Sequence, residues 1–180
     1  LCEICEGTSR KELVGDVTTA SRHNKPISKW AINILNENHG FNLKIVDVGV
    51  DFDLSNIAGI RNKKIANGTA NFLYEPAMTE AWLDRAIDIG AEMVDECIAE
   101  GSNIICIGEM GIANTSPSSI WMSLMENIPL VECVGAGAGL NNEGVRHKYD
   151  VLSRSVEQFR KLMGNEASTE DTIRYFGGFE

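Results

Sequence analysis

The feature that most constrains the fold of this chain is a short apolar run. A glycine-rich turn and then a helix start follow it. Residues 104–107 read Ile-Ile-Cys-Ile, a continuous apolar pattern typical of a strand covered on both faces of a parallel sheet. The next residues, 108–111, carry two glycines that allow a turn, and Ser116 followed by Pro117 is a favourable helix start. The segment therefore predicts a strand–turn–helix unit with Glu109 at the carboxyl end of the strand.

Strand and helix patterns alternate along the rest of the chain. Helices are predicted at 31–38, 79–101, 117–127, 145–163 and from 168 onward, and strands at 43–51, within 56–71, at 103–108 and at 129–135. Thr79 is the predicted N-cap of the second helix, and residues 168–171 (Ser-Thr-Glu-Asp) form a capping-box pattern. Strands separated by such helices predict right-handed βαβ units. The fold class is therefore α/β, a mostly parallel, doubly wound, Rossmann-like sheet with flanking helices.

Composition and charge exclude several classes of function. With 43% hydrophobic residues the chain can build a core, and a formal charge of −10 disfavours nucleic acid or anionic lipid as a partner. No apolar run is long enough to span a bilayer, and the N-terminus lacks a signal-peptide pattern. Cys97, Cys106 and Cys133 lie in apolar segments, which suits reduced core thiols. We therefore expect a cytoplasmic protein without a membrane partner.

The sequence offers two weak indications of a metal site. Cys2 and Cys5 form a C-x-x-C pair, but no second pair or nearby histidine completes a zinc site. Asp47, Asp51 and Asp53 could together bind a metal, but solvated carboxylates at a strand end are the commoner outcome. We therefore predict no metal and no cofactor.

The glycine-rich loop 135–139 follows a predicted strand and precedes a helix, as in dinucleotide-binding folds. The third glycine comes one residue early, with Leu140 in its place, and the acidic residue expected near position 157 lies in the middle of a helix. The glycines therefore either bring the chain close to a ligand or form a tight turn. Lys148 lies near the first turns of the next helix, where a cation opposes the helix dipole. This position fits either a lysine held for an anionic ligand or a solvated lysine.

Glu109 likewise has two interpretations. In open parallel sheets, ligands bind beyond the carboxyl ends of the strands, where helix N-termini present free amides. Glu109 is predicted at such an end, which favours a role in a binding site. It could instead merely cap the following helix, and spacing alone does not choose between the two.

Four motifs in one order carry a family resemblance. They are residues 46–50 (VDVGV), 75–79 (EPAMT), 108–115 (GEMGIANT) and 137–144 (GAGLNNEG) with Lys148, and GGFE follows at 177–180. Together they resemble the nicotinate-nucleotide–dimethylbenzimidazole phosphoribosyltransferases of cobalamin lower-ligand synthesis. The resemblance runs from about residue 31 to residue 180, so residues 31–180 are interpreted as one α/β nucleotide-binding core. Residues 1–30 form an N-terminal segment to which the pattern assigns no structure.

The resemblance implies substrates and site residues. Such enzymes transfer the phosphoribosyl group of nicotinate mononucleotide to 5,6-dimethylbenzimidazole or a similar aromatic base. Glu109 would be the catalytic acidic residue that stabilises positive charge on the ribose. The residues that would bind the substrate are Gly111, Asn114, Thr115, Ser116, Gly137, Gly139 and Lys148, and among them Lys148 would pair with the phosphate.

The resemblance also implies that one catalytic group is missing from these residues. The family's general base is a glutamate well beyond the GGF motif at 177–179, so we expect the 180 residues to be a central portion that is inactive alone. The alternative is a non-catalytic nucleotide-binding or assembly remnant of the same fold. A sheet that lacks its later strands would keep an open edge and exposed apolar helix faces, which predicts a homodimer.

Overall fold

The computed structural model describes residues 36, 38–109, 111, 113–137, 139–164 and 167–179. These residues contain the strands β1 (Ile45–Asp47) and β2 (Ile60–Asn62) and the helices α1 (Glu80–Ala99), α2 (Thr115–Met125), α3 (Leu130–Cys133), α4 (Asn142–Met163) and α5 (Thr169–Phe176). The predicted N-terminal segment 1–30 and most of the predicted helix 31–38 lie outside the described residues. The chain divides into two compact units, whose described parts are residues 36–67 and 68–179.

The first unit is built around a parallel pair of strands. Strands β1 and β2 pair in parallel, with Ile45 opposite Ile60. A parallel pair in a chain otherwise rich in helices confirms the predicted α/β class, although this pair is much smaller than a complete doubly wound sheet. The prediction for 43–51 has the right strand in the right place, but the strand is shorter than predicted.

A buried carboxylate explains where β1 ends. Asp47 Oδ1 accepts hydrogen bonds from the backbone amides of Gly49 at 3.1 Å and Val50 at 2.9 Å, which turns the chain away from the sheet. Its other oxygen, Oδ2, lies 3.4 Å from the Lys64 ammonium. Asp47 is therefore committed to the local fold of this unit.

The second unit has its hydrophobic core between α2, α4 and α5. The core residues are Ile120, Leu152, Val156, Phe159, Tyr175 and Phe176. The ring of Phe159 lies edge-on to those of Tyr175 and Phe176, with centroids 5.0 Å and 4.9 Å apart, a favourable aromatic geometry. The long helix α4 thus supplies one wall of the core, and its position fixes that of Lys148 on the same helix.

Two predicted helix caps are confirmed, and a third cap was not predicted. The Thr79 side chain accepts a hydrogen bond from the Trp82 amide at 3.2 Å and caps α1. At α5, Ser168 and Asp171 form the predicted reciprocal capping box. Asn141 caps α4 by accepting from the Gly144 amide at 2.8 Å. These local hydrogen bonds depend on neighbouring residues, which is why the sequence pattern locates them well.

Two predicted strands are wrong within the described residues. Residues 104–107 form no strand, and the side chains of Ile104 and Ile107 are 81% and 95% exposed. A strand forms only when a neighbour takes up its backbone hydrogen bonds, and no described segment pairs with this one. Residues 130–133 form the short helix α3 where a strand was predicted, because Pro129 begins a turn that the Val134 amide closes on the Leu130 carbonyl at 3.1 Å.

The thiols also differ from expectation. Cys106 is exposed, and Cys97 and Cys133 are only half-buried, so the prediction of three core thiols is wrong. On α1, Ile87 and Ile98 are largely exposed.

Of the helices that the structure describes, none combines the length and the apolar character needed to cross a bilayer.

Candidate functional site

A strained turn leads into α2, the helix that carries most of the predicted site. Ala113 has a φ of 63°, in the left-handed region that non-glycine residues rarely adopt, and its carbonyl accepts the Ser116 amide at 2.8 Å. Asn114 follows at the helix N-terminus, and its amide donates weakly to the Gly111 carbonyl at 3.4 Å. The turn therefore brings Gly111, Asn114 and the first turn of α2 together.

Glu109 lies beside this helix start. The Asn114 side-chain amide donates a hydrogen bond to Glu109 Oε1, so the carboxylate is held next to the first turn of α2. The Glu109 side chain is exposed to solvent. Asn114 consequently makes no side-chain capping bond to its own helix. The carboxylate is thus placed by a side-chain contact to a helix end and not by a strand end as predicted.

Ser116 was predicted to be the N-cap, and the structure places it differently. It lies inside the first turn of α2, one residue after the start of the helix, and is 1% exposed. Its hydroxyl has no hydrogen-bond partner among the described residues. An unpaired buried hydroxyl is costly, so such a group at a helix N-terminus is suited to a ligand or a water molecule.

Lys148 is the most unusual charged residue of this unit. It is 1% exposed, and its ammonium donates to Thr115 Oγ1 at 2.8 Å and to the Gly135 carbonyl at 3.2 Å. Burial lowers the pKa of the Lys148 ammonium from its usual range, because the charged form loses hydration. The described residues take two of its three hydrogens, which leaves the third for a ligand.

The glycine loop approaches the same threonine. Gly137 has a φ of 55°, and a Cβ atom at this position would lie 2.9 Å from Thr115 Oγ1, closer than carbon and oxygen can approach. Glycine is therefore required here both by backbone conformation and by space. Gly139 also has a positive φ, of 119°, and its amide donates to the Ala136 carbonyl at 3.2 Å, which closes a turn in the loop.

Several predicted site residues are thus linked through Asn114, directly before α2, and Thr115, the first residue of α2. Asn114 contacts Glu109, and Thr115 contacts both Lys148 and Gly137. Sequence reasoning missed the Gly135 carbonyl that holds Lys148, because a backbone carbonyl leaves no signal in side-chain patterns. The ammonium and the positive end of the α2 dipole both attract anions, so the arrangement can bind a phosphate.

Other charged groups take part in local structure. Asp53 accepts hydrogen bonds from Ser55, which hold the pKa of its carboxyl below the usual value. Within the residues that the structure describes, no group of three or more His, Cys, Asp or Glu side chains is arranged to hold a metal ion.

These features define an α/β protein in which a buried ammonium lies at the N-terminus of a helix, an arrangement suited to an anion. The family model described as phosphoribosyltransferase (DBI_PRT) matches residues 8–180. The chain belongs to this phosphoribosyltransferase family.

Curated relatives agree on one name. A protein of Bacteroides fragilis named nicotinate-nucleotide–dimethylbenzimidazole phosphoribosyltransferase is 52% identical over 149 residues, which cover 83% of this chain and 42% of the relative. A protein of the same name from Parabacteroides distasonis is 47% identical over 176 residues, or 97% of this chain and 49% of the relative. The chain thus spans less than half the length of these relatives.

Solved structures show the same fold. The crystal structure of CobT from Thermus thermophilus has a TM-score of 0.82 and 27% identity, and the match covers 99% of this chain and 52% of that one. A second structure from this organism, named for the same phosphoribosyltransferase activity, has a TM-score of 0.78. The likeness confirms the α/β fold and the family resemblance seen in the sequence motifs.

Proposed function

We propose that this chain is the nucleotide-binding portion of an enzyme that transfers the phosphoribosyl group of nicotinate mononucleotide to 5,6-dimethylbenzimidazole or a similar base. The relatives' names support this reaction, and the chain spans about half of their length. The single observation that carries the proposal is the buried ammonium of Lys148, held at 2.8 Å from Thr115 Oγ1 at the start of α2. A buried cation at a helix N-terminus suits the 5′-phosphate of a mononucleotide.

Phosphate binding would use groups that the fold already orients. The third hydrogen of the Lys148 ammonium and the unpaired Ser116 hydroxyl are both available, and the first-turn amides of α2 add their dipole. Because Lys148 is buried, its attraction to a phosphate is screened little by water. Binding would also raise the pKa of Lys148, since a nearby anion stabilises the ammonium form.

Glu109 would act on the sugar. The C–N bond to nicotinate breaks as the ribose gains oxocarbenium character, and a carboxylate near the ring stabilises that positive charge. Nicotinate leaves without needing a proton, because its ring nitrogen is already cationic in the mononucleotide. The incoming base forms the new C–N bond and loses its nitrogen-bound proton to a general base, which the resemblance assigns to a glutamate beyond these 180 residues.

The cellular setting is part of the same proposal. We infer a cytoplasmic protein, since three cysteines in the described residues are free, and a homodimer, since several large apolar side chains are exposed. The exposed apolar residues include Ile87, Ile98, Ile104 and Ile107.

A second candidate is a module that binds the nucleotide without turnover. The exposure of Glu109 favours this alternative, because water screens a carboxylate and weakens its effect on a developing cation. The two candidates share the phosphate site and differ in whether the sugar reacts.

One experiment separates the two candidates. Nicotinate mononucleotide is titrated into the chain by calorimetry, and nicotinate release is then measured with dimethylbenzimidazole, for the chain alone and fused to the C-terminal half of the Bacteroides fragilis relative. Binding in both proteins with turnover only in the fusion supports the transferase. Binding without turnover in either protein supports the non-catalytic module, and absence of binding in both refutes the phosphate site.

A further inference from the structure

A buried serine on α2 connects the two sides of the lysine site. Ser119 is 6% exposed, and its Oγ lies 2.7 Å from the Thr115 carbonyl and 2.9 Å from the Cys133 carbonyl. A hydroxyl has one hydrogen, so the two carbonyls share it or exchange it. The first contact lies within α2, and the second joins α2 to the end of α3, directly before the glycine-rich loop.

This link joins the two segments that hold Lys148. One hydrogen bond of the ammonium goes to Thr115, whose carbonyl Ser119 contacts, and the other goes to Gly135, which lies two residues after Cys133. The same loop places Gly137 against Thr115. The distance between helix and loop, and therefore the position of the ammonium, depends on how firmly Cys133 is held to α2.

A second serine strengthens the argument that α2 holds this segment by hydroxyl groups. Ser123, one helical turn further along α2, donates to the Ile128 carbonyl at 2.7 Å. Residues 128–133 are thus attached to α2 at both ends, by Ser123 and by Ser119. Of the two attachments, only that of Ser119 lies next to the lysine site.

We propose that Ser119 is a positioning residue that sets the place of the Lys148 ammonium by fixing the glycine-rich loop to α2. The proposal rests on the proposed function only in the role of Lys148 in phosphate binding. Without the Ser119 hydroxyl the Cys133 carbonyl loses this contact, the loop separates from α2 more often, and water reaches Lys148. In this proposal Ser119 acts only through the loop and Lys148.

The neighbouring Ser118 provides a matched control. Its hydroxyl donates to the Asn114 carbonyl at 3.0 Å, at the start of the same helix, but it is exposed and makes no hydrogen bond to the described residues of the loop. Ser118→Ala therefore removes the same group and the same type of local bond, and it leaves the connection between α2 and the loop intact.

The test measures access to Lys148 in the ligand-free chain. Acetylation by acetic anhydride is followed by mass spectrometry at Lys148 and at the exposed Lys161 of the same helix, which serves as the internal reference. Relative to Lys161, we expect Ser119→Ala to be acetylated at Lys148 roughly tenfold faster, the change that loss of one buried hydrogen bond produces. Ser119→Thr, which keeps the hydroxyl, and Ser118→Ala should resemble the parent. An unchanged rate in Ser119→Ala overturns the proposal.

Nicotinate mononucleotide binding provides the second measurement. Ser119→Ala should weaken binding several-fold, and Ser119→Thr should restore it. If the parent does not bind the nucleotide while the acetylation pattern holds, the proposed function fails and the positioning role stands. If the parent binds and Ser119→Ala binds equally well, the positioning role is overturned. Should circular dichroism show that Ser119→Ala does not fold, Ser119→Cys, a weaker donor of similar size, takes its place in both measurements.

Discussion

Replacing Lys148 with methionine should weaken nucleotide binding without a matching loss of stability. The ammonium is buried and donates to Thr115 and Gly135 at 2.8 and 3.2 Å. A charge-assisted hydrogen bond to phosphate contributes roughly 1.5–3 kcal/mol, so the dissociation constant for nicotinate mononucleotide should rise roughly 10- to 150-fold.

Stability should respond differently. Methionine has a similar length and removes the cost of burying a charge, while Thr115 and Gly135 are exposed enough to bond to water after the change. We expect the free energy of unfolding to fall by less than about 1 kcal/mol, or to rise.

The assay combines calorimetric titration with urea denaturation of the same variant. Lys161→Met, an exposed lysine on the same helix, is the control and should alter neither quantity appreciably. Unchanged nucleotide affinity in Lys148→Met would refute the phosphate assignment. A loss of several kcal/mol of stability would refute the view that burial of this ammonium opposes folding.

Three further predictions follow from the same geometry. Burial lowers the pKa of Lys148, so the folded state loses its proton first as the pH rises. The free energy of unfolding should therefore increase with pH between the lowered pKa and the unfolded value of about 10.4, while nucleotide affinity falls. Urea denaturation at several pH values measures the first effect, and calorimetric titration measures the second. Lys148→Met should abolish the increase in stability. Gly137→Ala should reduce stability by about 1–3 kcal/mol, because its Cβ would lie 2.9 Å from Thr115 Oγ1 and its φ is positive. Thermal denaturation measures this loss. Gly139→Ala is the control, because its φ is also positive but its Cβ would meet no atom within 4 Å, so a larger loss at Gly137 reports the clash with Thr115. Glu109→Gln should leave nucleotide affinity nearly unchanged and lower the rate of nicotinate release in the fused enzyme, and a rate equal to that of the parent would remove Glu109 from the mechanism.

Local signals in the sequence predicted the first residues of α1 and α5 but misplaced the start of α2. Thr79 and Ser168 cap the helices that their neighbours suggested, because an N-cap bond joins residues only a few positions apart. The strand predictions at 103–108 and 129–135 failed for the opposite reason. A strand depends on a partner elsewhere in the chain, and an apolar run alone does not specify that partner.

The candidate site was likewise predictable only in part. The mismatch between Lys148 and the helix dipole, together with the family motifs, predicted an anion site at Lys148, and the structure buries this lysine against Thr115 and Gly135. The partners of Lys148 could not be predicted, because the Gly135 carbonyl reaches it only after α2, α3 and α4 have packed. Ser119 lies in a run of small polar residues, and nothing in the sequence pattern distinguishes it from Ser118. The two differ only in the folded structure, where Ser119 is buried and Ser118 is exposed.

The alanine at position 113 bears on the entropy cost of the proposed phosphate binding. A glycine would adopt the φ of 63° more easily, but it would also sample many more conformations before the ligand arrives. The methyl group of Ala113 restricts that freedom, so the ordering of the turn occurs when the protein folds. If the proposed phosphate site is right, less entropy is lost when the phosphate binds, and the association is tighter for that reason.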